Sequence, residues 1–288
     1  MTLIHNRYRP VRQLAQTTYG SICLCTDEFL PPRRVVLKSV SLVHAINMLD
    51  LRSPELQQPD DPRQEKAFAN LQRSNAAPHP NIVQYLDDFI EGQTLYFVLE
   101  YCAGGDLVSS VNCGQNRRLV GADALAVIKQ IAAGVAYLHS HSVAHRDLSL
   151  ENVMLSRGVC KVGDFGLSTR TDQPSFGRVG KAYYMAPEVV AARAVYDSKA
   201  ADIWSLGIIL FVLVTGSPLV SLAKEEDAAF RAFQKVGVRE VLEAWHMEDL
   251  LEESAIQLLN GMLQCNPTKR LTIEQVLDHE AFEQRTAV

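Results

Sequence analysis

The stretch "HRDLSLEN", residues 145–152, decides how the rest of the chain is read. It runs His145, Arg146, Asp147, and reaches Asn152 five residues after the Asp, with Ser149 and Leu150 between them. An Asp on a loop can take up a proton. An Asn close behind it can offer an amide oxygen to a hard cation.

Two more segments belong with it. "VVLK", ending at Lys38, lies in an alternating stretch that reads as a strand, and "DFG" at 164–166 reads as a turn. A strand lysine, a loop Asp–Asn pair and a second Asp on a turn suit phosphoryl transfer. The lysine holds the α- and β-phosphates, Asp164 and Asn152 hold magnesium, and Asp147 orients the attacking hydroxyl and accepts its proton.

With these residues in order, the chain resembles the eukaryotic protein kinase family, over about residues 8–283. "APE" at 186–188, "DIWSLG" at 202–207 and Arg270 in "CNPTKRLT" match it in type and order. The resemblance implies an α+β, two-lobed fold. A small antiparallel-sheet N-lobe with one helix takes about 8–101, a hinge about 100–106, and a mainly helical C-lobe about 107–283. It implies ATP and Mg²⁺ as cofactors, with Mn²⁺ as an alternative, and a protein Ser/Thr acceptor as substrate.

Residue by residue, the resemblance makes Glu65, in the helix "RQEKAFANLQR", the partner of Lys38. Leu14, Ala15, Thr17, Tyr19, Gly20 and Ile22 cover the phosphates. Leu99 is the gatekeeper, and Glu100 and Cys102 offer hinge backbone groups to adenine. Val36 and Met154 sandwich the ring, Asp106 reaches the ribose, and Glu151 borders the nucleotide. His145 and Phe165 join a hydrophobic column between lobes. Glu188 and Arg270 form a buried ion pair, and Asp202 binds the catalytic-loop backbone.

The chain departs from the family pattern in two places. "LAQTTYGSI" (14–22) sets Ala15 and Thr17 where glycines belong. A positive φ there would cost an L-residue roughly 1–2 kcal/mol, whereas extended backbone would cost far less. ATP binding is expected to survive but weaken. The second departure is Ser149, which stands where Ser/Thr kinases carry Lys. Losing one such charge typically slows transfer about 10²–10³-fold.

In "GKAYYMAPE" (180–188), Lys181 stands where the family has Thr. The pair Lys…Thr has become Ser…Lys. The expectation is that Lys181 brings charge to the γ-phosphate while Ser149 hydrogen-bonds Asp147.

Regulation and specificity are thinly written. Arg146 precedes the catalytic Asp, an arrangement that in this family can pair with an activation-loop phosphate. Gly177 occupies the usual phosphosite, leaving Ser175 nearest, with Ser168, Thr169 and Thr171 upstream. Glu151 and Asp106 facing the substrate groove would favour basic residues before the acceptor.

The remaining sequence bounds these readings. The 288 residues, 47% hydrophobic and 21% charged, suit a globular chain, and a net charge of −5 argues against a nucleic-acid surface. The six cysteines, at 23, 25, 102, 113, 160 and 265, form no CxxC pair, so they support neither zinc nor a disulfide framework. Cys23 and Cys25 read as strand side chains. No signal peptide or myristoylation site opens the chain, and "IWSLGIILFVLVTG" (203–216) is short for a membrane span and reads as a core helix. A cytoplasmic protein without membrane partners is expected.

Strands are expected over 8–40, "PHPNIVQYLDDF" and "TLYFVLEY", an exposed loop over 50–64, and a helix at about 64–73. Helices are expected at 122–140, 200–215, 225–235, 253–264 and 272–279. The alternative to an active kinase is a pseudokinase, a nucleotide-binding or scaffolding module. Ala15, Thr17 and Ser149 favour it, and the joint presence of Lys38, Asp147, Asn152 and Asp164 opposes it. A small-molecule kinase is weaker still, because "APE" resembles a peptide-docking loop.

Overall fold

Alternating apolar and polar residues from Tyr8 onward produce strands β1 (Tyr8–Thr17), β2 (Gly20–Asp27) and β3 (Arg33–Ser41). The computed structural model describes residues 3–29, 31–50, 60–75, 77–112, 118–192 and 195–283. Cys113 and most of the expected 50–64 loop lie outside the described residues. Two helices follow the strands, α1 (Leu42–Asp50) and α2 (Pro62–Ser74), and then β4 (Tyr85–Glu91) and β5 (Thr94–Glu100). The five strands pair antiparallel in the order β1-β2-β3-β5-β4.

This puts β3 in the middle of the sheet, with Lys38 opposite Ile22 on one side and Phe97 on the other. Helix α2 starts cleanly because Asp61 caps it, accepting from Arg63 N, with Pro62 in the first turn. Helix α1 is not announced by the sequence, which has no acidic residue in its first turn and no basic one in its last.

The rest of the chain is α3 (Leu107–Asn112), α4 (Gly121–Ser140), β6 (Val143–Ala144), β7 (Val153–Ser156), β8 (Val159–Val162) and β9 (Thr169–Arg170). Then come α5 (Pro187–Ala191), α6 (Ser198–Thr215), α7 (Ala228–Val236), α8 (Val238–Ala244), α9 (Glu253–Met262) and α10 (Ile273–Leu277). Short α3, α5 and α8 are further elements the periodicity does not resolve.

Helix α6 is the expected core helix. Asp197 caps it by accepting from Lys199 N and Ala200 N, and Gly216 ends it in the left-handed region. By length and composition α4 and α6 could each cross a bilayer, but α6 is buried within the protein along most of its length. Burial on every face explains its unbroken apolar run, since no side of it must meet water. The strands β6–β9 and β7–β8 form two small ladders that frame the segment 145–152 between β6 and β7.

Candidate active site

The cleft between sheet and helices collects the charged residues singled out above. Lys38, 7% exposed on β3, donates from Nζ to Glu65 Oε1 (3.0 Å), Glu65 Oε2 (2.8 Å) and Asp164 Oδ1 (2.8 Å). Burial pushes this ammonium down, but the carboxylates of Asp164 and Glu65 outweigh it and hold the group above its ordinary range. Lys38 in turn holds the Asp164 carboxyl below its ordinary range. The structure thus brings Lys38 and Glu65 together.

Asp164 itself sits at φ 61° and Arg146 at φ 65°, left-handed conformations that non-glycine residues adopt only when their surroundings enforce them. Asp202 supplies that enforcement at Arg146. Its carboxylate accepts from His145 N and Arg146 N, both at 2.8 Å, and contacts His139 Nε2 at 2.9 Å. Phe165 packs edge-on against His145 (5.1 Å between centroids) and stacks on Phe68 (3.8 Å), so an aromatic column links the lobes. Arg270 clasps Glu188 at 2.7 and 3.1 Å, the expected buried ion pair.

Asp147 faces the cleft with both oxygens engaged. Oδ2 accepts from Asn152 Nδ2 at 2.7 Å, and Oδ1 from Lys181 N at 3.1 Å. Burial raises its pKa, against which the nearby Lys181 charge acts. The Lys181 ammonium turns inward. It donates to Ser149 Oγ (2.6 Å) and Asn152 Oδ1 (3.2 Å), and lies 3.6 Å from Asp147 and 3.9 Å from Glu151.

One detail differs from expectation. Among the described residues the Ser149 hydroxyl pairs with Lys181 and makes no hydrogen bond to Asp147. The reason is occupancy, because Asn152 and the Lys181 backbone already serve the Asp147 oxygens. Gly180 allows this approach. It has φ 89°, and a Cβ there would come within 2.7 Å of Arg146 O.

The loop between β1 and β2, expected to cover the phosphates, is a tight hairpin. Ala15 pairs with Ile22 and Thr17 with Gly20, leaving Thr18 and Tyr19 as the turn. Neither Ala15 nor Thr17 has a positive φ, so their Cβ atoms carry no left-handed strain. Gly20 is the glycine that matters here, since a Cβ would meet Ser39 O at 2.2 Å. Tyr19 folds inward, 5% exposed, and its hydroxyl donates to Asp60 O at 3.1 Å.

At the end of β5, Val36 pairs across the sheet with Leu99, and Met154 bridges to Asp106. The Cys102 N–H takes no backbone partner among the described residues, which fits an acceptor such as adenine. Leu14 is exposed at the loop's edge. Two carboxylates are already employed. Glu100 accepts from Lys161 Nζ and Gln84 N (2.8 Å each), and Asp106 accepts from Ser109 N and Oγ (2.7 and 3.0 Å). Ser175 is 4% exposed with its backbone paired to Tyr196, so this conformation hides the nearest phosphorylatable residue.

Sequence reasoning missed two residues. Asp60 packs against Gly166 beside Asp164, and burial first, then Asp164, lift its pKa to about 6. Tyr85, 1% exposed, donates its hydroxyl to Glu65. Nothing in a loop rich in Asp and Pro, or in an ordinary strand tyrosine, marks either position.

A family model described as "Protein kinase domain" matches residues 18–282. This chain belongs to that family. It is 35% identical over 213 residues to "Serine/threonine-protein kinase PLK4" of Drosophila willistoni, covering 73% of this chain and 26% of that protein. It is 36% identical over 212 residues to "CBL-interacting protein kinase 31" of Oryza sativa subsp. japonica, covering 71% of this chain and 44% of that protein. These relatives place it with the serine/threonine branch. The chain spans about a quarter to under half of their lengths.

Proposed function

We propose that this chain, with residues 8–283 as its catalytic domain, transfers the γ-phosphate of ATP to a Ser or Thr hydroxyl of a protein. The observation that carries the reading is the joined set of charges in the cleft. Lys38 bridges Glu65 and Asp164, while Lys181 stands 3.6 Å from Asp147. In this reading Lys38 holds the α- and β-phosphates, and Asp147 orients the acceptor hydroxyl and takes its proton. Its raised pKa makes it a stronger base than a solvated carboxylate.

Asp164 and Asn152 are the residues that would hold Mg²⁺ or Mn²⁺, which when bound neutralises phosphate charge. Asp164 fits this role, with an oxygen-rich side chain 45% exposed to the cleft. The Asn152 amide oxygen faces the Lys181 ammonium, so a cation there shares its ligand with that charge. Lys181 supplies the positive charge at the γ-phosphate, and Ser149 holds the ammonium in place. The hydroxyl and the charge have traded positions relative to the family pattern, with Ser149 as anchor of the lysine.

The nucleotide site comprises Leu14, Ala15, Thr17, Tyr19, Gly20, Ile22, Val36, Leu99, Glu100, Cys102, Asp106, Glu151 and Met154. The half-exposed Glu151 supports a preference for basic residues before the acceptor. The five cysteines among the described residues, all free, and the buried α6 support a cytosolic setting.

The test is transfer of labelled phosphate from ATP and Mg²⁺ to a mixture of generic protein substrates, with Asp164→Ala alongside. Transfer that disappears in the variant supports the kinase. ATP-dependent thermal stabilisation without transfer overturns it in favour of a pseudokinase.

A further inference from the structure

Glu65 accepts a third hydrogen bond besides the two from Lys38. Tyr85 Oη donates to Glu65 Oε1 at 2.7 Å, the same oxygen that Lys38 reaches at 3.0 Å. Donor and acceptor are both almost wholly buried, so no water can replace the phenol. The tyrosine is itself fixed. Its N–H donates to Gln72 Oε1 at 2.6 Å, and Gln72 Nε2 donates to Val83 O at 3.0 Å, so one α2 side chain clamps both sides of the entry to β4.

The Tyr85 ring also meets Phe68, Phe97 and Phe165 edge-on at centroid distances of 6.0, 5.7 and 6.1 Å. Phe68 lies on α2 and Phe165 follows Asp164. The ring thus touches the helix that carries Glu65 and the turn that carries Asp164, while its hydroxyl fixes the carboxylate between them.

We infer that Tyr85 is a positioning residue for phosphate binding, holding the Glu65 carboxylate in the rotamer that aims Lys38 into the cleft. It touches no substrate. Without the hydroxyl, Glu65 keeps one partner instead of two and can rotate about its side-chain bonds. Lys38 is then shared between Glu65 and Asp164 with no fixed direction. Hydrogen bonds to buried charges are worth about tenfold to a hundredfold in an equilibrium, so a loss of about tenfold in ATP affinity is expected.

This inference rests on the reading of Lys38 as the phosphate-holding residue, and the experiment separates the two. The binding of Mg·ATP and of adenosine, which has no phosphates, is measured by calorimetry for the wild type, Tyr85→Phe, Lys38→Met and Glu65→Gln. Tyr85→Phe keeps the ring and removes only the hydroxyl. It is expected to weaken Mg·ATP about tenfold and leave adenosine within twofold, a split that a general loosening of the lobe would not produce. In the Glu65→Gln background, Tyr85→Phe is expected to add less than twofold.

Equal losses for ATP and adenosine, an undiminished ATP affinity, or full additivity with Glu65→Gln would each overturn the inference. So would a Tyr85→Phe protein that fails to fold, because the hydroxyl would then be a structural element only. If Lys38→Met itself keeps the wild-type preference for ATP over adenosine, the phosphate-holding role of Lys38 falls first.

Discussion

The exchange between Ser149 and Lys181 is open to a quantitative test. Replacing Lys181 by Met keeps most of the stem and deletes the ammonium. For in-line transfer the phosphoryl group must come close to Asp147, so its oxygens meet the ammonium at a range similar to the 3.6 Å that separates Lys181 from Asp147. Two unit charges at that distance interact by about 4–5 kcal/mol at an effective dielectric constant near 20. The Lys181 side chain is 37% exposed, and solvent screening reduces this to about 2–3 kcal/mol. That is the scale of losing one preorganised charge donor, and it corresponds to about a 30- to 150-fold fall in kcat.

The assay is steady-state phosphate transfer at saturating ATP and Mg²⁺, with thermal stability measured alongside. Ser149→Ala removes the 2.6 Å anchor but leaves the charge, so its loss should be smaller than that of Lys181→Met. The double change Ser149→Lys with Lys181→Thr restores the family arrangement and should recover most of the lost rate. A Lys181→Met protein with kcat within threefold of wild type would refute the reasoning. So would a double variant no better than either single one.

Three other outcomes follow from the packing. Asp202→Ala strips acceptors from His145 N, Arg146 N and His139 at once, and should lower unfolding free energy by about 3–5 kcal/mol, measured in urea. Asp60 has a folded pKa of about 6, raised above its unfolded value, so its ionised form weakens the fold as pH rises from about 4 to 6. Asp60→Asn should abolish that decline and raise the melting temperature at pH 7. Asp27 is held low by the Arg7 guanidinium at 2.7 and 2.8 Å, so its contribution is full above the ordinary carboxylate range and lost as pH falls through the depressed value. Asp27→Asn should therefore cost about 2 kcal/mol at pH 7 and progressively less as pH falls through that depressed value, measured by urea unfolding across pH.

The sequence by itself singled out the residues proposed to carry the chemistry and determined the order in which the chain presents them. Lys38, Glu65, Asp147, Asn152 and Asp164 could be named because each lies in a short local pattern. The lobes were legible because alternation and helical spacing are local properties of strands and helices. Helices α1, α3, α5 and α8 were not: α1 follows β3 without a break, and the other three span only five to seven residues.

Only the tertiary structure decided how the charges meet. Lys181 lies 32 residues from Ser149 and Tyr85 lies 20 from Glu65, and a hydrogen bond across such a span depends on the packing of distant elements. The swap could be suspected from two motifs side by side, yet the direction of the Ser149 hydroxyl could not, because it turned on which donors had already taken the Asp147 oxygens. Ala15 and Thr17 make the same point from the other side. As letters they are missing glycines, and only the hairpin register, which sets them in extended backbone, removes the penalty.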